Sequence, residues 1–384
     1  MTATTGFPAR VLMTTDAVGG VWQYTVELAR GLCGSGSEVL VAGMGPEPSP
    51  AQRDAAAAIP GLSLQWHPGC LEWMNGAERD LDRASAWLAA QADCFSPDVV
   101  HLNSYAYAAA PWSVPLVVVC HSCVRTWWQA VRGGEAPPEW DGYGARVGHA
   151  LRTADLVIAP TRAFLGAMSR TYGEPPQTMV IRNGRSGPFR PRTTRDPLIF
   201  SCGRTWDEAK GAGVLDAVAP RLPWPVYLAG DLRAPDTAGW TAPTGVLSLG
   251  RLDEAAIAAF LSRATIFALP ALYEPFGLAV LEAAMSGCAL VLGDIETLRE
   301  LWGGAALFVD PRDEQAVEAA LVRLIRDPEL CRALAARAEK RAQSYLPEAM
   351  VAGYLRAYRR AAGPHPRGRD AADPDSAVPA GRPA

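Results

Sequence analysis

The sequence predicts two doubly wound α/β domains in tandem, and three observations lead to this fold class. The chain has 384 residues, more than one ordinary domain holds. Short runs of Val, Ile and Leu alternate with longer helical patterns, as expected for parallel sheets covered by helices on both faces. The alternation is interrupted by the Pro- and Arg-rich stretch 185–197, after which a second α/β series begins.

The first series alternates regularly. Strands are predicted for ARVLMTT, EVLVAGMG, DVVHLNS, PLVVVCHS, DLVIAPT and TMVIRNG. Helices are predicted for GGVWQYTVELARGLCGSG, GAERDLDRASAWLAAQADCF, YGARVGHALRTA and the segment from about Arg162.

The second series has the same character. Strands are predicted for PLIFSCG, PVYLAG, VLSLG, TIFALP, CALVLGD and AALFVD. Helices are predicted after Lys210, for DEAAIAAFLSRA, from about Leu278, from Asp313 to about Tyr345, and from Pro347 to Ala362.

These elements define the expected domains: 1–187, 188–346, a helix at 347–362 that packs back on the first domain, and a disordered Pro/Gly/Asp-rich tail at 363–384. Ligands of doubly wound sheets bind at the carboxyl ends of the strands. Two such domains are therefore expected to face each other across a ligand-binding cleft.

Composition narrows the function classes. The formal net charge of −4 gives no support for nucleic acid as a partner. The N-terminus has no charged region followed by an apolar stretch, the apolar runs are too short to span a bilayer, and the eight cysteines are scattered apart from the pair Cys120 and Cys123. We expect a cytoplasmic protein.

Glycines mark the first candidate anion site. Gly19 and Gly20 lie where the first strand turns into a helix, so backbone N–H groups there can approach an anion. The surrounding sequence is neither a dinucleotide fingerprint nor a Walker loop. A plain tight turn is the alternative interpretation.

Two cations mark the second candidate site. In SCGRTWDEAKGAG, Arg204 follows the first strand of the second domain and Lys210 precedes Gly211. Such cations suit a diphosphate. Solvated surface charges are the alternative, but the chain has only one other lysine, Lys340, which favours a function for Lys210.

Two glutamates occur in the otherwise apolar stretch ALYEPFGLAVLEAAMSG, at Glu274 and Glu282. If all the intervening residues were helical, the rise would be about 12 Å. This exceeds the roughly 5–9.5 Å between paired glycosidase carboxyls. The pair therefore suits two parts of one elongated ligand, with the amides of Phe276 to Leu278 facing an anion between them.

EPFGLAVLE, together with GRTWDEAKG and GGVWQYTVELARGL, resembles the retaining glycosyltransferases of family 4, which include glycogen synthase-like enzymes. The resemblance extends to about Arg360 and implies the GT-B fold, in which two Rossmann-like domains face each other. It implies that Glu274 holds hydroxyls of a donor sugar and Glu282 the ribose, and that Arg204 and Lys210 grip the diphosphate. It also implies that Gly20, beside Gly19, approaches the diphosphate and that His121 lies close to the sugar.

The resemblance thus implies transfer of a hexosyl group from a nucleoside diphosphate sugar, with retention, to an unidentified carbohydrate or lipid-linked acceptor. The catalytic residues would be Glu274, His121, Arg204 and Lys210. The donor-binding residues would be Gly19, Gly20, Arg204, Lys210, Glu274, Phe276, Gly277, Leu278 and Glu282, with Arg251 near the base. No metal or cofactor is expected, because the fixed cations can stabilise the departing diphosphate. The DxD-like triplets at Asp80–Asp82 and Asp373–Asp375 are interpreted as chance.

The acceptor side stays open at this stage. Trp127, Trp128 and Trp140 suit either a sugar, the edge of a membrane, or ordinary packing. The arginines of the interdomain region suit either a solvated linker or peripheral contact with anionic lipid: Arg182, Arg185, Arg190, Arg192 and Arg195. His101 is interpreted as structural. Two rival functions remain: a nucleotide-sugar epimerase of the same architecture and a non-catalytic nucleotide-sugar-binding protein.

Overall fold

The structure is a computed structural model of the chain and describes residues 8–74, 76–231 and 243–363. The predicted tail at 363–384, apart from Gly363, and the triplet Asp373–Asp375 lie outside the described residues.

The first domain is built on a parallel sheet of seven strands, in the order β3-β2-β1-β4-β5-β6-β7. Val, Ile and Leu dominate its central strands, which is typical of strands buried on both faces. The strands are β1 (Arg10–Thr15), β2 (Glu38–Met44), β3 (Leu62–His67), β4 (Val99–Leu102), β5 (Leu116–Val119), β6 (Leu156–Ala159) and β7 (Thr178–Val180).

Helices cover both faces of this sheet. They are α1 (Gly20–Gly34), α2 (Pro50–Ala57), α3 (Glu78–Phe95), α4 (Val124–Arg132), α5 (Asp141–Thr153) and α6 (Arg162–Tyr172). Side chains begin two of them: Ser49 forms a capping box with Gln52 at α2, and Thr161 accepts from the N–H of Phe164 at α6.

The second domain repeats the plan with a parallel sheet of six strands, in the order β10-β9-β8-β11-β12-β13. The strands are β8 (Asp196–Cys202), β9 (Val226–Ala229), β10 (Leu247–Gly250), β11 (Ala264–Leu269), β12 (Ala289–Gly293) and β13 (Ala306–Val309). The helices are α7 (Ala212–Val218), α8 (Glu254–Arg263), α9 (Leu278–Met285), α10 (Glu296–Trp302), α11 (Glu314–Arg326) and α12 (Pro328–Ala342).

A last helix, α13 (Pro347–Ala361), returns to the first domain. Tyr354 and Tyr358 are buried in the core that β1, β4, β5 and α1 form. Tyr358 also reaches His101 of β4, with 2.8 Å between its hydroxyl oxygen and Nδ1. The expected crossing of the C-terminal helix is therefore confirmed.

The predicted fold class, two doubly wound domains facing each other, is confirmed. Four elements were not predicted: α2, β3, α4 and α10. Each is short, and β3 lies at the sheet edge with mixed burial along LSLQWH, which weakens its pattern. The continuous helix predicted from Asp313 to Tyr345 is wrong in one respect: it breaks at Asp327, whose side chain caps α12 by accepting from the N–H of Leu330.

The two domains touch at the carboxyl ends of their sheets. Tyr273 of the second domain reaches across with its hydroxyl, which accepts from the N–H of Cys123 at 2.9 Å. Trp127 donates from its indole N–H to Asp207 at 3.0 Å, and Thr161 donates to the carbonyl of Pro275 at 3.1 Å. These contacts form one end of a cleft between the domains.

Candidate functional site

A cleft of about 750 Å³ separates the carboxyl ends of the two sheets, a size that suits small-molecule binding. We call its two sides the first-domain wall (the cleft-lining residues between Thr14 and Asn183) and the second-domain wall (those between Cys202 and Glu282). Every residue predicted to bind the donor or to act in catalysis lines this cleft.

The motif of the two glutamates straddles the start of α9. Gly277 has φ 86°, a left-handed conformation that favours glycine, and α9 begins at the next residue. Phe276 packs its ring edge-on against Tyr345, with ring centroids 5.8 Å apart, and is buried. The ring of Phe276 is therefore held by core packing, and the prediction for this residue concerns its backbone amide.

Glu274 forms a one-to-one ion pair with Lys210. Lys210 Nζ lies 2.9 Å from Glu274 Oε2 and 3.3 Å from the carbonyl oxygen of Tyr273. The backbone on the other side is fixed as well, because Thr297 donates to the carbonyl of Glu274 at 2.7 Å. The pair lies in the cleft, where a sugar hydroxyl or a phosphate can reach it.

Arg204 and Arg251 extend the positive charge along the second-domain wall. Arg204 Nη2 lies 3.3 Å from Asp207 Oδ2, and the guanidinium lies over Trp206, with Cζ 5.5 Å from the ring centroid. Arg251 lies at the rim, where its side chain is 65% exposed and pairs with Asp231 at 3.7 Å.

Gly19 and Gly20 face this wall from the start of α1. Gly19 has φ 118°, which only glycine adopts readily. A Cβ built on Gly20 would lie 3.4 Å from Leu278 Cδ1 of the second domain. The glycines therefore bring the N-terminus of α1 close to the N-terminus of α9, and both ends favour an anion.

Glu282, at the other end of the motif, pairs with Arg185 of the interdomain segment. Arg185 Nε donates to Glu282 Oε1 at 2.7 Å, and the same guanidinium contacts Glu27 of α1 at 3.4 Å and Glu254 of α8. Burial raises the pKa of Glu282, although Arg185 opposes this shift. Burial acts to lower the pKa of Arg185, but Glu282 and Glu254 raise it above its ordinary value.

The interpretation of the interdomain arginines as a solvated or lipid-facing linker is therefore wrong for Arg185, which is 7% exposed. Arg182 pairs with Glu300 of α10, and Arg195 donates to the carbonyls of Ala264 and Ser286. An arginine prefers acceptors inside the protein to water only where its side chain is buried. The composition of the segment does not reveal that burial.

His121 lies at the end of β5 in a defined hydrogen-bond network. The Nδ2 group of Asn103 donates to the carbonyl of Thr14 at 2.7 Å, so Asn103 Oδ1 faces the histidines as an acceptor. His121 Nε2 lies 2.8 Å and His101 Nε2 3.0 Å from that oxygen, so both histidines donate through Nε2. His101 Nδ1 is then the acceptor for the hydroxyl of Tyr358, as expected for a structural histidine.

Burial keeps both imidazoles neutral. It lowers the pKa of His121 to about 3, with a further contribution from His101, and that of His101 to about 4. His121 therefore meets a ligand as a neutral ring whose Nε2 proton is already engaged.

The sequence analysis missed several cleft residues on the first-domain wall. Asp16 follows β1 and accepts from the N–H of Val18 at 2.7 Å. Glu72 accepts from the N–H groups of Tyr105 and Ala106 at 3.0 and 2.8 Å, and burial raises its pKa to about 7. Trp73 stacks with Trp206 across the cleft, with ring centroids 6.5 Å apart and an interplanar angle of 24°. No motif in the sequence marks Glu72, because its loop between β3 and α3 has no periodicity.

The tryptophans whose role the sequence leaves open between a sugar, a membrane edge and ordinary packing are partly accounted for by packing. Trp127 is bonded to Asp207, and Trp140 packs edge-on against Tyr143, with centroids 6.0 Å apart. In the described ranges no helix is long and apolar enough to cross a membrane. The triplet Asp80–Asp82 lies in α3, where Asp80 accepts from the N–H of Cys70 at 2.9 Å, so it has a structural role.

Family models match both halves of the chain. Residues 18–186 match the model described as Glycosyltransferase Family 4, and residues 196–327 match Glycosyl transferases group 1. The chain is 28% identical to a glycogen synthase of Mycobacterium tuberculosis, covering 91% of this chain and 94% of that protein. It is also 28% identical to an alpha-maltose-1-phosphate synthase of Mycolicibacterium smegmatis, covering 74% and 79%.

Solved structures share the fold. A sucrose-phosphate synthase from Thermosynechococcus elongatus superposes with a TM-score of 0.76 at 19% identity, covering 92% of this chain and 98% of that one. The Anabaena protein HepE, crystallised with UDP-glucose, superposes with a TM-score of 0.73 at 17% identity, covering 91% and 99%. At these identities the likeness shows the two-domain fold.

Proposed function

Because the chain belongs to the GT-B glycosyltransferases with family 4 and group 1 domains, we propose that it transfers a hexosyl group from a nucleoside diphosphate sugar to an acceptor, with retention and without a metal ion. One observation carries the proposal. Arg204, Lys210 and the N-terminus of α9 lie along one wall of the cleft, and Gly19 and Gly20 face them from the other domain.

The donor lies along the second-domain wall in this proposal. Glu274 binds hydroxyls of the sugar, Arg204 and Lys210 bind the diphosphate together with the N–H groups that precede α9, and Glu282 binds the ribose. The base lies near Arg251. HepE, a structural relative, is described in complex with UDP-glucose, which supports a donor of this class.

The reaction breaks the bond between the anomeric carbon and the phosphate oxygen, and the bonding electrons leave with the diphosphate. An acceptor hydroxyl oxygen forms the new bond at the same carbon, and its proton leaves with the nucleoside diphosphate. Arg204, Lys210 and the two helix N-termini stabilise the charge that grows on the leaving group. His121, neutral and fixed by Asn103, lies beside the sugar.

The test is release of nucleoside diphosphate from a panel of nucleotide sugars, with and without added cell extract or purified saccharides. We expect acceptor-stimulated release, a decrease of at least about 100-fold in Glu274→Ala and Arg204→Ala, and no effect of a chelator. If both folded variants matched the wild type, the site assignment would be wrong. Interconversion of free nucleotide sugars without acceptor would indicate the epimerase, and binding without turnover would indicate a binding protein.

A further inference from the structure

The two walls of the cleft differ in charge. The second-domain wall carries three cations, Arg204, Lys210 and Arg251, beside its carboxylates. Among the described residues of the first-domain wall there are three carboxylates, Asp16, Glu47 and Glu72, and no lysine or arginine. The histidine of that wall, His121, is neutral. Any group bound against the first-domain wall therefore meets negative or neutral side chains.

Two of these carboxylates line the cleft without a cation on their own wall to pair with. Glu47 pairs with Arg53 at the exposed rim, so its charge is already compensated. Asp16 and Glu72 are held by backbone N–H groups instead, and burial raises the pKa of both. The cations that act on them lie elsewhere: Arg204 on the opposite wall lowers the pKa of Asp16, and Arg146, which does not line the cleft, lowers that of Glu72.

Two polar atoms of the same wall are also unused. Within the described part of the chain, Ser104 Oγ and Gln23 Oε1 are buried and have no hydrogen-bond partner. Both residues line the cleft. Buried polar atoms need a partner, so a ligand with hydroxyl groups would satisfy them.

The aromatic faces beside the carboxylates add apolar contact area. Trp73 of the first-domain wall lies next to Glu72 in the chain and stacks with Trp206 across the cleft. Carboxylates and hydroxyls that accept hydrogen bonds, next to indole rings, suit the hydroxyls and the C–H face of a sugar ring. Away from the N-terminus of α1, a phosphate dianion would find no cation on this wall, and Asp16 and the ionised fraction of Glu72 would repel it.

Resting on the proposed function, we propose that the first-domain wall binds an uncharged saccharide as the acceptor, through Asp16, Glu72 and the unsatisfied groups of Ser104 and Gln23, and that it excludes phosphorylated sugars. This separates the chain from its relatives named as maltose-1-phosphate and sucrose-phosphate synthases. A free oligosaccharide and the glycan of a glycolipid present the same chemistry to the wall.

The test uses matched acceptors that differ only in a phosphate: maltose and maltose 1-phosphate, glucose and glucose 1-phosphate, fructose and fructose 6-phosphate, and a neutral alkyl glucoside for the glycolipid case. Release of nucleoside diphosphate from the accepted donor is measured against hydrolysis by water. We expect kcat/KM to be at least about 100-fold higher for the neutral member of at least one pair. Equal responses within every pair, including no response to either member, would overturn the inference.

The failures are distinguishable. Stimulation by the phosphorylated member alone would overturn the inference and leave the glycosyltransferase function standing. No binding or turnover of any nucleotide sugar would overturn both.

Variants locate the effect on the wall. In Glu72→Gln and, separately, in Asp16→Asn, we expect the KM of the neutral acceptor to rise about tenfold and the preference over its phosphorylated partner to narrow. In Glu72→Gln we expect the KM of the donor to stay the same. The matched control is Glu38→Gln. Glu38 is an exposed glutamate at the start of β2, away from the cleft, and it pairs with Arg10 at the start of β1. A parallel rise of the donor KM and the acceptor KM in Glu72→Gln, or an unchanged acceptor KM in both variants, would contradict the proposal.

Discussion

The two glutamates at the ends of one short motif are neutralised in opposite ways. Glu274 shares one lysine, Lys210, and the two side chains are 16% and 12% exposed in the cleft. Glu282 shares one arginine with two further carboxylates, Glu27 and Glu254. The first is a balanced pair that a ligand can reach. The second is a cluster in which negative charge exceeds positive charge.

The two glutamates also differ in what their ion pairs connect. The Glu274–Lys210 pair lies within the second domain, so a change there alters the cleft and leaves the contacts between domains in place. Arg185 connects the interdomain segment with α1 of the first domain and with α8 and α9 of the second. The end of the cleft at which we propose that the ribose binds is therefore also a junction of the two domains.

The largest effect on stability is expected from Arg185→Met. Removing the guanidinium leaves three carboxylates without their shared cation, and breaking a buried ion pair in this way costs about 3–5 kcal/mol. Chemical denaturation should show this loss of unfolding free energy at pH 7. Arg190→Met is the matched control, because Arg190 is exposed in the same segment and bonds only main-chain carbonyls.

The loss in Arg185→Met should depend on pH. Burial already raises the pKa of Glu282 above its ordinary value of 4.5, and loss of Arg185 raises it further. A folded-state pKa above the unfolded value means that stability is fully present below about pH 4.5 and is lost as the pH rises through the folded pKa. The variant should therefore approach the wild type at acid pH. A deficit that does not change with pH would show that the charges are not its cause.

The largest effect on turnover at the other end is expected from Lys210→Met. Removing one fixed cation from the proposed leaving-group site should lower kcat by about 10²–10³-fold. The loss of unfolding free energy should be smaller than in Arg185→Met, because only one carboxylate, Glu274, loses its cation. Lys340→Met is the control, since Lys340 is the only other lysine and lies exposed on α12. If Lys210→Met kept the wild-type kcat, the Glu274–Lys210 pair would have no role in turnover.

The same contrast explains how far the sequence can be interpreted. The alternation of strands and helices, the glycine turns at Gly19 and Gly277, and the cations Arg204 and Lys210 are local signals, because each depends on residues close in the chain. The partner of Glu282 is not local. Arg185 lies 97 residues away and 158 residues from Glu27, in a stretch whose composition is typical of a linker.

Glu72 illustrates the same limit on the first-domain wall. Its partners, the N–H groups of Tyr105 and Ala106, follow β4 and are separated from it by 33 and 34 residues. The strands β3, β2, β1 and β4 are neighbours in that order and run parallel. The loop after β3 and the loop after β4 therefore both lie at the carboxyl ends of the strands. The position of Glu72 in the cleft therefore cannot be predicted from the local sequence, where it is a single glutamate in a loop without periodicity.

A moderate effect, on binding alone, is expected from Glu282→Gln. The amide keeps the shape of the side chain, and Arg185 keeps Glu27 and Glu254. The proposed hydrogen bond from the ribose to a charged group is lost, so the KM of the donor should rise about tenfold while kcat stays the same. Steady-state kinetics with varied donor concentration measures the two separately. A fall in kcat without a change in KM would place Glu282 on the chemical step and break the contrast with Lys210.

The smallest effect is expected from Glu254→Gln, which removes one of the surplus carboxylates around Arg185. Glu254 is 49% exposed, and it raises the pKa of Glu282 through like-charge repulsion. Glu254→Gln loses the ion pair with Arg185 and the favourable interaction of a negative charge with the N-terminus of α8. Relief of the repulsion offsets this loss, so the unfolding free energy should change by less than about 1 kcal/mol. Glu314→Gln is a close control: Glu314 is also 49% exposed, follows an aspartate cap at the start of α11, and shares Arg221 with Glu318, but that arginine is exposed rather than buried. Chemical denaturation of both variants side by side should give Glu254→Gln a loss of unfolding free energy well below the roughly 3–5 kcal/mol of a broken buried ion pair, although Glu254 contacts Arg185 directly. A loss that approaches that of Arg185→Met would mean that Arg185 depends mainly on the exposed carboxylate, and the buried pair with Glu282 would no longer account for the junction.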